Sequence, residues 1–135
     1  MKKQDRLEML SSCIRSGVSP ILMEGVTKDI FDNSVVLDAK CDRSLLNGYY
    51  EGAAFVPPKW YLKLLSIKSS YSILIIDKLD EIDSLEQKKF LEIIKYRKVS
   101  TFELPKNTII IITANPNKKN LINEDIYSFV AHIED

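Results

Sequence analysis

Two side chains stand where a parallel sheet would present them for chemistry. Asp77 follows four consecutive apolar residues, Ile73 to Ile76, and Asn115 follows the run Ile109 to Ile112 after only Thr113 and Ala114. A continuous apolar run is what a strand covered on both faces requires, so both polar groups are expected to leave the same end of neighbouring strands. Ligands of open α/β sheets sit at that carboxyl end, and a carboxylate near an amide there suits Mg²⁺ and a phosphate. Each residue also has a plainer role: Asp77 as a structural hydrogen-bond acceptor, Asn115 as a cap on the turn at Pro116. Lys28, shortly after Gly25, reads either as a phosphate contact or as a solvated loop lysine. Tyr49, Tyr50, Phe55 and Trp60, gathered around Gly48 and Gly52, read equally as packing and as contact anchors for a protein partner.

The elements that must position these residues follow from periodicity. Leu7, Leu10 and Ile14 share one helical stripe, predicting a helix over Gln4 to Ser16 that Gly17 stops. Ile21 to Met23, bounded by Gly25, has the length and composition of a buried strand, and Ser34 to Ala39 is a second one. The interval Val26 to Asn33 is too short for a crossover helix, which takes roughly a dozen residues. Cys41 to Pro58 carries loop chemistry with aromatic content, and Pro57-Pro58 open a helix over Lys59 to Ser66. Tyr71 to Asp77 is a strand. Ser84 begins a capping box with Gln87 at its third helical position, and the helix continues through Phe90, Leu91 and Ile94 to about Arg97.

Val99 to Leu104 alternates as an edge strand or hairpin arm does, Thr108 to Thr113 is another two-sided strand, and Asn115-Pro116-Asn117 closes it. A short helical piece at Leu121 to Tyr127 and a last strand at Phe129 to Ile133 complete the chain. Strands alternating with helices imply an α/β three-layer αβα sandwich with a mainly parallel sheet.

With 135 residues, the chain is expected to form a single domain over 1–135. At 45% hydrophobic and 28% charged residues it has enough apolar material for a packed core and is too apolar for disorder. Nineteen basic side chains balance nineteen acidic ones, leaving no global field toward nucleic acid or an anionic membrane. No basic stripe with interleaved aromatics favours nucleic acid either. No apolar run approaches the roughly 20 residues of a membrane span, and no secretory leader is legible, so a cytoplasmic protein is expected. Cys13 and Cys41 are too few for a disulfide framework, and His132 is the only histidine, which disfavours a zinc site or a Ser-His-Asp triad.

In order and spacing, several segments resemble the AAA+ ATPases, most closely the MoxR-like and dynein-related branch of the P-loop NTPases. "SPILMEG" at Ser19 to Gly25 resembles the strand entering a phosphate-binding loop, "ILIID" ending at Asp77 a Walker B strand, and "TIIIITANPN" a sensor 1 strand with Asn115 in the sensor position. "LLNGYYEGAAFVPPKWYLKLL" is similar to the region after the second strand, and "IYSFVAHIE" to the end of the ATPase core. The resemblance implies a five-stranded parallel core flanked by helices, with Gly25, Lys28, Asp77 and Asn115 as vestigial nucleotide contacts and Asp77 as the metal ligand.

The departures decide the expected function. A phosphate-binding loop needs Gly-x-x-x-x-Gly-Lys-Ser/Thr, because backbone N–H groups surround the phosphates and the lysine neutralises them. Here only Glu24-Gly25-Val26-Thr27-Lys28-Asp29 stands in its place. Losing about three charge-assisted hydrogen bonds at about 1.5 to 3 kcal/mol each removes about 5 to 8 kcal/mol of binding, or four to six decades of affinity. Lys78 occupies the position of the catalytic glutamate, with Asp80 and Glu81 the nearest carboxylates beyond it; no arginine separates Ser128 from Phe129; and the family's helical lid does not follow. The expectation is a degenerate AAA+ ATPase-like domain without catalysis, acting as an interaction or accessory subunit toward a protein partner such as a true AAA+ ATPase, with no cofactor. The alternative is a residual ATPase domain that still binds ATP and Mg²⁺ through Lys28, Asp77 and Asn115.

Overall fold

The computed structural model describes residues 3–25 and 34–133. In chain order these form α1 (Lys3–Arg15), β1 (Ile21–Glu24), β2 (Ser34–Asp38), α2 (Arg43–Asn47), β3 (Tyr49–Glu51), β4 (Ala54–Val56), α3 (Lys59–Leu65) and β5 (Ser72–Asp77). There follow α4 (Ser84–Gln87), α5 (Leu91–Tyr96), β6 (Lys98–Val99), β7 (Phe102–Glu103), β8 (Thr108–Ala114), α6 (Glu124–Tyr127) and β9 (Ala131–Ile133). Three short 3₁₀ turns, at Leu79–Glu81, Lys88–Phe90 and Lys119–Leu121, join them.

Five strands make one sheet in the order β2-β5-β8-β1-β9, and every pairing is parallel. Counting only these strands the order is 2-3-4-1-5, which differs from the 2-1-3-4-5 order of flavodoxin-like sheets. The central strands β5 and β8 are buried along their whole length, as their unbroken isoleucine runs require. Alternation divides those runs between two cores. Leu74, Ile76, Ile110 and Ile112 point to the larger core, with α3, the 3₁₀ turn Lys88–Phe90, α5 and α6 supplying Trp60, Leu64, Phe90, Ile94 and Ile126 around it. Ile73, Ile75, Ile109 and Ile111 point to the smaller one, which Leu10 of α1 covers. The architecture is therefore an α/β fold with a five-stranded parallel sheet flanked by helices. No described helix is long and apolar enough to cross a membrane.

Two local expectations need correction, and a third lies outside what is described. The loop expected over Cys41 to Pro58 contains α2 and an antiparallel hairpin, β3 with β4, in the register Tyr49 to Val56 and Tyr50 to Phe55. The cap of α4 is Asp83, whose carboxylate accepts the Glu86 N–H at 3.0 Å, so Ser84 does not begin a capping box. Gln87 turns inward instead, fully buried; its amide donates to the carbonyls of Ile82 and Leu121, and its Oε1 accepts from the Asn123 N–H at 2.6 Å. The interval Val26 to Asn33, including Lys28, lies outside the described residues.

Candidate functional site

Adjacent parallel pairing of β5 with β8 brings Asp77 and Asn115 to the same end of the sheet. Their side chains then turn to different partners. Asp77 is buried at 5% exposure, and its Oδ1 accepts the Thr113 hydroxyl at 2.8 Å. That same Thr113 oxygen accepts the Lys78 backbone N–H at 2.9 Å. Lys78 itself is left-handed, with φ of 60°, a conformation unfavourable for a side chain with a Cβ. The Thr113 contact fixes the sharp exit of the chain from β5.

Asn115 belongs to a second group. Its amide nitrogen donates to Asp80 Oδ2 at 2.9 Å and Glu81 Oε2 at 3.1 Å, while its backbone N–H reaches Asp80 Oδ1 at 3.2 Å. Lys40 closes the group with an ion pair of 3.1 Å to Glu81. The Asn115 amide first and Lys40 second hold the Glu81 carboxyl below its ordinary range. Asp80 and Glu81, the nearest carboxylates after Lys78, are thus engaged in holding the β8 exit to the turn after β5. Gly25, at φ of 73°, ends β1 next to them, its N–H donating to the Ala114 carbonyl at 2.9 Å.

A third group at this edge was not singled out from sequence. Glu24, 4% exposed, accepts the Asn117 N–H at 3.1 Å and lies 3.4 Å from His132 Nε2, whose Nδ1 is 3.2 Å from the Tyr127 hydroxyl. The parallel pairing of β1 with β9 makes this contact, setting Leu22 against His132. Glu24 was legible only as a loop-entry residue because its partners are distant in sequence. Among the described residues no cluster of three or more His, Cys, Asp or Glu side chains could hold a metal ion.

The four aromatic candidates separate by burial. Trp60 is a core residue at 6% exposure, its indole N–H donating to the Leu46 carbonyl at 2.8 Å. Phe55 is half-buried and stacks on Phe102 at 5.5 Å between ring centres, so the β3–β4 hairpin is held against the β6–β7 hairpin. Tyr61 braces the same place, its hydroxyl donating to the Glu103 carbonyl at 2.6 Å. Tyr49 and Tyr50 remain 56% and 72% exposed, and Leu45 just before them is 58% exposed.

No family model matches the chain, and no curated protein does. Among solved structures it is similar to the crystal structure of NtrX from Brucella abortus, with a TM-score of 0.56 and 12% identity, over 96% of this chain and 35% of that one. The chain therefore spans about a third of the length of NtrX. At that identity the likeness concerns the fold alone. These findings correct the expectation of an AAA+ ATPase: the likeness found is to NtrX, and the Walker B and sensor 1 labels are dropped from Asp77 and Asn115. Locally, Asp77 is hydrogen-bonded to Thr113 while Asn115 is hydrogen-bonded to Asp80 and Glu81, so the two side chains are engaged with different partners.

Proposed function

We propose that the chain is an interaction or accessory domain without catalysis of its own, and that it contacts a protein partner through the β3–β4 hairpin. The observation that carries this reading is the exposure of Tyr49 and Tyr50 on a hairpin whose Phe55 is stacked on the body of the protein. Aromatic side chains lose little rotamer freedom on binding, and a braced hairpin presents them already ordered, which is how contact anchors reach high energy per residue. Leu45 extends the apolar surface beside them. The carboxyl edge supports the same reading from the other side, because its carboxylates and Asn115 satisfy one another and have bonds to break before they can take up a nucleotide. The two free thiols, Cys13 and Cys41, support a reducing compartment such as the cytoplasm for this reading.

The test compares the parent with Tyr49→Ser/Tyr50→Ser by affinity capture from the cell that makes the protein, at matched expression. A partner retained by the parent and lost by the double variant is the expected result. An identical set of partners for both would remove the hairpin from the account, and Mg²⁺-dependent ATP turnover by the purified chain would remove the non-catalytic reading.

A further inference from the structure

The amino ends of β1, β5 and β8 frame a cavity of about 890 Å³, at the opposite end of the sheet from the groups described above. Three cations line it: Arg15 from the end of α1, Arg97 from the turn after α5, and Lys106 from the turn before β8. Among the described residues that line it there is no carboxylate. Arg97 is fixed in place, its Nη2 donating to the carbonyls of Pro105, Lys106 and Thr108, the last at 2.8 Å. Its Nε and Nη1 have no partner among the described residues, and neither do the side chains of Arg15 and Lys106. Tyr71, 39% exposed, and Ile109 give the cavity an apolar wall.

The chain has no net charge, so three cations in one cavity are a local arrangement. Two of the three, Arg15 and Lys106, are exposed, while Arg97 is partly buried. A cavity lined by charge of one sign raises the local concentration of small anions. Guanidinium and ammonium donors converging from three elements match the several oxygens of a phosphate.

We propose that this cavity binds a small phosphorylated organic molecule, its phosphate held by Arg15, Lys106 and the remaining N–H groups of Arg97, and its apolar portion against Tyr71 and Ile109. The site is independent of the hairpin and of its partner.

Calorimetric titration of the full chain with phenyl phosphate and, separately, with inorganic phosphate tests the proposal at low ionic strength. The expected result is saturable binding of phenyl phosphate, tighter than that of inorganic phosphate. It should be weakened by roughly tenfold or more in Arg15→Gln/Lys106→Gln and unchanged in Lys118→Gln, which alters a lysine beyond the other end of β8. Among the described residues Arg15 and Lys106 have no side-chain partners to lose, so the double variant is expected to keep the fold, and its thermal transition checks this. Absence of saturable binding, equal binding by the double variant, equal weakening by Lys118→Gln, or phenyl phosphate binding no tighter than inorganic phosphate would each overturn it.

Discussion

Thr113 donates its hydroxyl to Asp77 Oδ1 at 2.8 Å and accepts the Lys78 N–H at 2.9 Å, inside a strand buried from end to end. Thr113→Val keeps the shape of the side chain and leaves both a buried carboxylate and a backbone donor without their partner. Each unsatisfied group costs about 1 to 3 kcal/mol, so a loss of about 2 to 6 kcal/mol is expected from urea denaturation. Thr113→Ser retains the hydroxyl and gives up one methyl group, for about 1 kcal/mol. A Val variant as stable as the parent would remove this role from the hydroxyl. Glu81 provides a second test, in which pH is the variable. Its carboxyl is lowered on folding by Asn115 and then by Lys40, so its contribution to stability is present above the unfolded value, about 4.5, and is lost as pH falls through the folded value. Glu81→Gln is therefore expected to be less stable than the parent at neutral pH and equally stable well below pH 4.5, read by denaturant midpoints at a series of pH values. A deficit that persists undiminished in acid would show that the carboxylate charge is not its source.

Among the elements, the β3–β4 hairpin depends on a glycine. Gly48 joins α2 to β3 at φ of 79°, and a Cβ there would run into the Val56 carbonyl oxygen and, at 2.9 Å, Phe55 Cζ. The first obstacle is backbone and cannot swing away. Gly48→Ala combines that clash with an unfavourable φ and is expected to cost about 2 kcal/mol or more, with loss of the Phe55–Phe102 stack. Gly52, at φ of 63° with open space around it, meets only the conformational penalty, so Gly52→Ala should cost about 1 kcal/mol. Thermal unfolding of the two variants separates the terms, and equal costs would deny the steric one. The hairpin itself was hard to read from sequence because Tyr49-Tyr50-Glu51 is exposed at all three positions and shows no alternation. The α4 cap is ambiguous in the sequence for a related reason. Asp83 and Ser84 are both good caps one residue apart, and Gln87 takes its partners from Leu121 and Asn123, which no local pattern reveals.

Over the whole molecule, the apolar runs at Ile73 to Ile76 and Ile109 to Ile112 made the parallel sheet legible, because only two-sided burial tolerates such composition. Strand order was not legible in the same way, since neighbours such as β1 and β8 are joined by no short connection. The site was half legible: a polar residue after each apolar run marked the carboxyl edge, but side-chain direction separated Asp77 from Asn115. The same packing that hides the central strands predicts how the molecule opens. Amides of β5 and β8 lie between two cores and are paired on both sides, so they can exchange only when the sheet comes apart. The β3–β4 hairpin is paired only within itself and is exposed along β3, so it can open while the sheet stays intact. Hydrogen exchange is expected to show the Leu74 and Ile111 amides at the free energy of global unfolding and the hairpin amides well below it. Denaturant should accelerate only the former strongly, because only their opening exposes large apolar area. Hairpin amides exchanging with the same free energy and denaturant dependence as β5 and β8 would mean that hairpin and sheet unfold as one unit, and that the tyrosines are presented by the core itself.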